Sequence, residues 1–358
     1  MRGPDYESCD AMSGVQHVVI PIEDEGQRLD RWLKQRFPFL GQARIEKMCR
    51  KGELRLDSAR CKPASRVEAG QVVRIPPIAN LSFSAGPAKT SYVSKDYAKF
   101  IQKTIIYKDE HLIVLNKPAG LPTQGGSKQK RHVDGLSEAL RFGNDEKPRL
   151  VHRLDKDTSG VLILARTRKV AQALSEAFRH RDTRKIYWAA VAGVPNPKMG
   201  TIKYALRKAP GWGSQGQGEK MQCIHPSELS NYKDAKRATS DYAVLNQLAR
   251  RAAWVALSPI TGRTHQLRVH MAEIGHPIIG DGKYGGSGQE NLGNGWGAQL
   301  GGDISRKLHL HAQYISFQHP VTRSMVNFSA ELPPHMSETW STFQWNLHSV
   351  PEDPFEVM

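Results

Sequence analysis

Apolar positions in the first hundred residues recur first at helical spacing and then in alternation. A first helix is predicted from one apolar face made of Leu29, Trp32, Leu33 and Phe37, with Pro38 at its end. A second helix is predicted over residues 42–51, where Ile45, Met48 and Cys49 form the apolar side and Gly52 stops the helix. Alternation at residues 53–56 and 72–75 then predicts two short strands.

From about residue 105 the pattern becomes rich in strands. Apolar runs of strand length lie at residues 110–117, 161–165, 185–192 and 254–258. One amphipathic helix is predicted from Arg168 to about Arg179, with Val170, Leu174, Ala177 and Phe178 on one face. Strands and helices do not alternate strictly, so the larger region is predicted to be α+β, with a mixed or antiparallel central sheet.

Segments of weak periodicity separate these regions. Residues 77–100 are rich in Ser, Ala, Pro and Lys and are interpreted as a linker. Residues 208–220 and 285–302 are rich in Gly and polar residues and are interpreted as surface insertions, of which the first is either an ordinary solvated loop or an RNA-touching loop. The predicted organisation is a flexible N-terminus (1–15), a small α/β domain (16–77), a linker (78–104), a catalytic domain (105–335) and a tail (336–358).

Charge adds a first indication of function. The chain of 358 residues has a formal net charge of +16, which favours polyanionic partners. Residues 28–74 contain 13 Lys and Arg against 5 Asp and Glu, and Arg44, Lys47 and Lys51 form one stripe along the second predicted helix. A helix pair with such a stripe, followed by short strands, resembles the S4-like RNA-binding domain, so the stripe is expected to contact RNA phosphates. The alternative interpretation is an ordinary solvated helix face.

Other sequence features narrow the class of protein. Four cysteines (Cys9, Cys49, Cys61 and Cys223) lie far apart without a CxxC pair, which is typical of a reducing cytoplasm. The first fifteen residues lack the apolar stretch of a signal peptide, and the longest apolar runs are too short to span a membrane. We therefore expect a soluble, cytoplasmic protein, and we expect a monomer.

The densest polar segment of the larger region is residues 151–160, directly before the apolar run at Val161. At the rim of a core, a carboxylate such as Asp155 can be partly desolvated and still be reachable, as catalytic groups require. The alternative is structural: residues 158–160 form a turn, and Arg153 pairs with Asp155 or Asp157 at the surface.

The same segment resembles a known enzyme family. HRLDKDTSG at residues 152–160 is similar to the signature motif of the RluA-type pseudouridine synthases, which include bacterial large-subunit rRNA enzymes. Further family motifs follow in collinear order over about residues 105–335: NKPAG at 116–120, RKIY at 184–187, GRTHQLRVH at 262–270, GHPIIGD at 275–281 and LHLHA at 308–312. The resemblance implies the pseudouridine synthase catalytic fold and the isomerisation of uridine to pseudouridine in RNA.

The resemblance also implies roles for individual residues. Asp155 is the expected catalytic carboxylate, and Arg268 is expected to hold it through a bidentate contact, with Arg263 as the alternative partner. Tyr187 matches the family's active-site tyrosine, whereas the alternative is a tyrosine packed in the core. Arg153 is expected to fill the space that an extruded uridine leaves in the RNA. Arg263 and His265 are the remaining expected RNA contacts, and Asp157 is interpreted as a turn residue, because only a glycosidase mechanism would need a second acid.

No cofactor or metal is expected, because the isomerisation oxidises, hydrolyses and transfers nothing. His309 and His311 could be a ligand pair, but strand histidines hydrogen-bonded at the edge of a core are favoured. The expected partner is RNA, and the S4-like module favours large-subunit rRNA or its precursors over tRNA. The competing hypotheses are an inactive RNA-binding protein on the same scaffold, which would have lost Asp155, Tyr187 or Arg268, and a nucleosidase that releases free base.

Overall fold

The N-terminal unit packs two helices against a small sheet. The computed structural model describes residues 14–37, 39–78, 93–125, 131–178, 183–210, 219–285, 304–347, 350–351 and 353–355, and the chain divides into two units between residues 92 and 93. The elements of the first unit are β1 (Gln16–Val19), a 3-10 turn (Ile22–Asp24), α1 (Leu29–Arg36), α2 (Gln42–Lys51), β2 (Arg55–Leu56), β3 (Ala59–Arg60) and β4 (Val72–Ile75). The strands form an antiparallel sheet in the order β1-β4-β2-β3.

Both predicted helices of this unit are confirmed. The second helix, α2, ends at the predicted residue because Gly52 adopts the left-handed conformation, with φ of 70°, and donates its N–H to the carbonyl oxygen of Cys49 at 3.1 Å. Apolar side chains of both helices are buried against the sheet, among them Leu33, Ile45 and Val73. The strand predicted at residues 53–56 is shorter than expected and begins at Arg55.

The second unit is built on a large mixed sheet. Its strands are β5 (Ile105–Lys108), β6 (Leu112–Lys117), β7 (Arg149–Leu150), β8 (Ser159–Ala165), β9 (Arg184–Ala192), β10 (Met199–Lys208), β11 (Met221–Ile224), β12 (Lys236–Leu248), β13 (Ala252–Pro259), β14 (Leu310–Gln318) and β15 (Met325–Ser329). Its helices are α3 (Lys95–Gln102), α4 (Val133–Leu136), α5 (Arg168–Ala177), α6 (Gln266–Glu273) and α7 (Pro334–Thr342), with 3-10 turns at Ser137–Leu140 and Pro226–Asn231. The predicted α+β class is confirmed.

The strand order brings distant motifs to the same part of the sheet. The order is β11-β10-β12-β13-β9-β14-β8-β6-β5, with β15 paired to β14 and β7 paired to β8. The pair β14–β8 is parallel and the others are antiparallel, so the sheet is mixed, as predicted. As a result, β14 alone lies between β9, which contains Tyr187, and β8, which follows the segment around Asp155.

Gly160 allows a close approach between β8 and β14. Its φ is 109°, and a Cβ at this position would collide with the backbone of Ala312, the residue opposite it in the parallel pair. The glycine at the end of the polar segment is therefore required by packing.

The structure differs from the predicted domain scheme at two places. Residues 95–102, inside the predicted linker, form α3, whose N-cap Ser94 accepts a hydrogen bond from the Tyr97 N–H and whose Ile101 is fully buried. Residues 336–342, inside the predicted tail, belong to α7, and Met336, Trp340, Phe343 and Trp345 pack into a buried cluster around Trp254. Both segments are short, and their burial depends on partners far away in the sequence.

The N-terminus and the two Gly-rich insertions that the sequence predicts lie mostly outside the described residues. Most of the predicted N-terminus 1–15 and of the Gly-rich stretches 208–220 and 285–302 lies outside the described residues. Within the described ranges, no helix has both the length and the apolar character that crossing a membrane requires.

Candidate active site

Asp155 lies in the loop between β7 and β8, and hydrogen bonds from a neighbouring segment fix this loop. The Thr123 hydroxyl donates to the Leu154 carbonyl oxygen at 2.6 Å and accepts the Leu154 N–H at 3.1 Å. On the other side of Asp155, the Lys156 carbonyl oxygen accepts the Gly120 N–H at 2.9 Å. The backbone on both sides of the carboxylate is therefore held, while the Asp155 side chain remains about one-fifth exposed.

A fully buried lysine reinforces this arrangement. Lys117, the last residue of β6, donates from Nζ to the carbonyl oxygens of Pro118 (3.0 Å), Leu121 (2.7 Å) and Lys156 (3.1 Å). Burial lowers the pKa of Lys117 to about 7, against the nearby charges of Asp157 and Asp155. Three carbonyl acceptors match the three N–H groups of an ammonium, so we assign the charged form to Lys117.

The motif GRTHQLRVH at residues 262–270 forms a strained turn leading into α6. His265 has φ of 55°, a left-handed conformation that is unfavourable for a residue with a Cβ, at the N-cap of this helix. The Gln266 side chain ties the turn to β12, because its amide donates to the Thr239 carbonyl oxygen at 2.8 Å. Leu267 and Met271 anchor α6 in the core below the sheet. Strain at a residue facing a cavity is typical of functional sites.

Arg268 faces Asp155, but its bidentate partner is a different carboxylate. Arg268 donates to Asp281 from Nε and from Nη2, each at 2.7 Å, whereas its Nη1 lies 3.8 Å from Asp155 Oδ2. The predicted bidentate contact to Asp155 is therefore wrong, because Asp281 already binds two of the three guanidinium nitrogens. Burial alone would lower the pKa of Arg268, but the hydrogen bonds to Asp281 and its charge outweigh burial and raise that pKa. The alternative partner, Arg263, directs its Nε to the Arg237 carbonyl oxygen at 3.4 Å.

The His265 imidazole has one ring nitrogen near Asp155 and the other near the Tyr284 hydroxyl. Its Nε2 lies 3.9 Å from Asp155 Oδ2, and its Nδ1 is 2.8 Å from the Tyr284 hydroxyl. Burial lowers the pKa of His265, and the charges of Arg268 and Lys283 lower it further against that of Asp155. The neutral form of His265 is thus favoured near pH 7, and at 3.9 Å its Nε2 is too far from Asp155 for a hydrogen bond.

Tyr187 lies on β9 and is half-buried between two hydrophobic clusters. Burial raises the pKa of its hydroxyl, and the charge of Asp155 raises it further, so the phenol is protonated near neutral pH. Tyr187 packs against the core, as the predicted alternative has it, but it also lines the cavity described next.

The predicted residues of this unit surround a single small cavity. Its volume is about 140 Å³, and its lining includes Arg153, Asp155, Tyr187, Arg263, His265 and Arg268. Arg153 is exposed at the rim, and among the described residues no ion pair joins it to Asp155 or Asp157. The surface pairing that the alternative interpretation required is therefore absent from this part of the chain, and the Arg153 guanidinium can contact a bound molecule.

The other three predicted RNA contacts belong to the N-terminal unit. Arg44, Lys47 and Lys51 are all exposed on α2, opposite the buried Ile45 and Met48. Lys51 has an ion pair with Glu53 at 3.6 Å. The predicted stripe thus exists as a surface of the helix.

The histidines of LHLHA are hydrogen-bonded, as favoured from the sequence. His309 contacts the Lys307 carbonyl oxygen and the Thr339 hydroxyl, each at 2.8 Å, while His311 contacts the Ser159 hydroxyl at 2.8 Å and the Ala330 carbonyl oxygen at 3.1 Å. Burial lowers the pKa of both imidazoles to about 4. Within the described part of the chain, no three His, Cys, Asp or Glu side chains are placed to hold a metal ion.

Sequence reasoning assigned no role to three residues of the site. Asp281 and Tyr284 are within hydrogen-bond distance of Arg268 and His265, respectively, and Lys117 donates a hydrogen bond to the backbone of Lys156, next to Asp155. The first two lie inside the motifs GHPIIGD and NKPAG, so the motifs marked their positions, but a single sequence carries no signal for which side chain each one contacts.

Comparison with known proteins agrees with this geometry. Residues 111–273 match the family model described as RNA pseudouridylate synthase. The chain is 32% identical over 326 residues to ribosomal large subunit pseudouridine synthase C of Vibrio cholerae, covering 90% of this chain and 95% of that protein. This chain belongs to the RNA pseudouridine synthase family. The protein of the same name from Escherichia coli is 33% identical over 320 residues, covering 89% of this chain and 93% of that one.

A solved structure supports the same assignment of fold. Human RNA pseudouridylate synthase domain containing 4 is 30% identical, with a TM-score of 0.55, and the match covers 69% of this pseudouridine synthase and 95% of the human chain. The predicted family and catalytic fold are thereby confirmed.

Proposed function

We propose that this pseudouridine synthase converts uridines of large-subunit rRNA to pseudouridine, with Asp155 as its catalytic carboxylate. The observation that carries the proposal is the placement of Asp155 in the 140 Å³ cavity, with Arg268 Nη1 at 3.8 Å and the Tyr187 ring lining the same space. The choice of rRNA is supported by relatives named as large-subunit enzymes that match nearly the full chain.

The reaction can be assigned to the residues that line the cavity. The bond between N1 of uracil and C1′ of its ribose breaks, the uracil rotates, and a new bond forms between C5 and C1′. C5 then loses its proton and N1 gains one. An ionised carboxylate stabilises an electron-poor sugar or attacks the ring, and the hydrogen bonds that fix the loop on both sides of Asp155 hold it in place for either role. The protonated Tyr187 is placed to pack against the base and to exchange a proton with it.

The cavity also constrains how the substrate enters. A volume of about 140 Å³ suits a single base, so the target uridine must leave its helix or loop before it reaches Asp155. The exposed Arg153 at the rim is placed to fill the vacated space in the RNA. Arg263, also at the rim, would contact the RNA backbone.

Two further features belong to the proposal. We infer that the enzyme acts as a monomer, because Asp155, Tyr187 and Arg268 meet at one cavity without a residue from a second chain being needed. We place it in the cytoplasm, in keeping with its free Cys49, Cys61 and Cys223 thiols.

The test is release of tritium from C5-labelled uridine in unmodified 23S rRNA transcribed in vitro. Wild-type protein should release tritium, Asp155→Asn should release none, and rRNA affinity should stay within a few-fold. The matched control is Asp157→Asn, which removes the same charge from an exposed position in the same loop. Retained turnover in Asp155→Asn would refute the catalytic assignment, and loss in both variants would mean that the loop responds to charge alone.

A further inference from the structure

Three arginines stand directly opposite one another across neighbouring strands of the N-terminal sheet. Arg55 of β2 pairs with Arg60 of β3 on one side and with Arg74 of β4 on the other. Residues paired in this way project from the same face of a sheet, so the three side chains form one row, here called the arginine row. Arg74 is in turn opposite His17, which is exposed on β1.

This arrangement is unfavourable for the sheet by itself. Like charges directly opposite each other destabilise a strand pair, and here two adjacent pairs have that defect within about 10 Å, which is two strand spacings. The opposite face has no such conflict, because it packs Val18, Val73 and Leu56 on the core of the unit. A bound anion would relieve this repulsion, so the row favours an anionic ligand.

The row is held in a defined position at the end of α2. Arg55 donates to the carbonyl oxygens of Gly52 (3.2 Å) and Ser58 (2.8 Å), and Arg74 donates to that of Glu53 at 2.7 Å. A Cβ built on Gly52 would lie 3.6 Å from Arg60 Nε and 3.9 Å from Arg55 Nη2, so two guanidinium groups lie together over the C-cap of the helix. Carbonyl oxygens at a helix C-terminus favour cations, which explains how such a cluster is tolerated.

The arginine row continues the basic stripe of α2. Lys51, the last residue of that helix, directly precedes Gly52, beside which Arg55 and Arg60 lie. The Arg60 side chain is exposed and has no hydrogen-bond or ion-pair partner among the described residues, so its guanidinium is available to a ligand. All three members are arginines, whose planar donors match phosphate oxygens in pairs.

We propose that the arginine row binds the phosphate backbone of the substrate RNA, as a second contact site beside the α2 stripe. The proposal rests on the proposed function for the identity of the RNA, but not on any role of Asp155. It assigns affinity to Arg60 in particular, whereas Arg55 and Arg74 contribute charge and also hold the backbone of Gly52 and Glu53 just after α2.

The experiment measures binding of the full-length protein to unmodified 23S rRNA at several KCl concentrations, together with thermal unfolding. Loss of one phosphate contact in Arg60→Gln should reduce the slope of log affinity against log salt by about 0.7–0.9, which corresponds to about five- to eightfold weaker binding at 0.1 M salt. The unfolding temperature should be unchanged or higher, because a cross-strand repulsion has been removed. Arg60→Lys should retain the salt slope.

Arg36→Gln is the matched control, since Arg36 is exposed on α1 of the same unit and its loss changes the net charge equally. An unchanged salt slope in Arg60→Gln would overturn the proposal. So would weaker binding accompanied by a lower unfolding temperature, because Arg60 would then act through the structure of the sheet. Tritium release is recorded separately: its absence in the wild type would refute the proposed activity and leave the binding result readable.

Discussion

The contact between Arg268 and Asp281 gives the sharpest test of how the active site is organised. Asp281 is 1% exposed and Arg268 is 5% exposed, so Asp281→Asn would leave a buried guanidinium without its bidentate partner. Removal of one member of a buried ion pair costs about 3–5 kcal/mol in free energy of unfolding. Asp155 Oδ2, 3.8 Å from Nη1, can take over part of this interaction, so we expect about 3 kcal/mol.

This compensation should itself damage catalysis. Once Asp281 is neutral, Asp155 is the remaining carboxylate within 4 Å of Arg268 among the described residues, and the guanidinium should turn towards it. A closer pair would draw Asp155 away from the substrate, and a misplacement worth about 1.4 kcal/mol in the transition state lowers the rate tenfold. We therefore expect turnover at saturating rRNA to fall at least tenfold while rRNA affinity is retained.

Urea unfolding and single-turnover tritium release at a temperature where both proteins are folded would measure the two effects. Arg268→Lys provides a comparison, because a lysine keeps the charge but cannot form the two-nitrogen contact. A stable Asp281→Asn variant with full turnover would show that Asp281 does not position Arg268. A destabilised variant with full turnover would show that the pair matters for stability alone.

Other parts of the structure lead to further expectations. Lys117→Met, which preserves volume but leaves three carbonyl oxygens without their donor, should lower both stability and turnover, as seen by unfolding and by single-turnover kinetics. Turnover should survive exhaustive treatment with EDTA and need no added nucleotide, whereas rescue of an EDTA-treated enzyme by zinc would contradict this. Charge reversal at Arg44, Lys47 and Lys51 should flatten the salt dependence of rRNA binding and leave saturating turnover unchanged. Collapse of that turnover would mean that α2 helps to assemble the active site.

Sequence patterns predicted the elements whose burial is local. The α2 helix was predicted to the residue, because its apolar face, its basic stripe and Gly52 all lie within eleven consecutive residues. The helix α3 was missed, because the burial of Ile101 depends on Ile113 and Leu115 of β6, which a local pattern does not contain. Residues 336–358 were predicted to be a tail for the same reason, because the burial of Trp340 and Trp345 depends on the distant Trp254.

In the active site, too, local motifs marked the residues, whereas the contacts between them depend on the fold. Asp155, Tyr187 and Arg268 each lie in a recognisable motif, and the three residues line one cavity because the sheet brings those motifs side by side. The error concerned which carboxylate Arg268 holds. Motif matching pairs residues whose roles are known, but a guanidinium with three nitrogens can serve two carboxylates, and geometry decides how they are shared. Asp281 takes the two-nitrogen contact and leaves one nitrogen towards Asp155, which keeps the proposed catalytic carboxylate close to a cation that it does not fully bind.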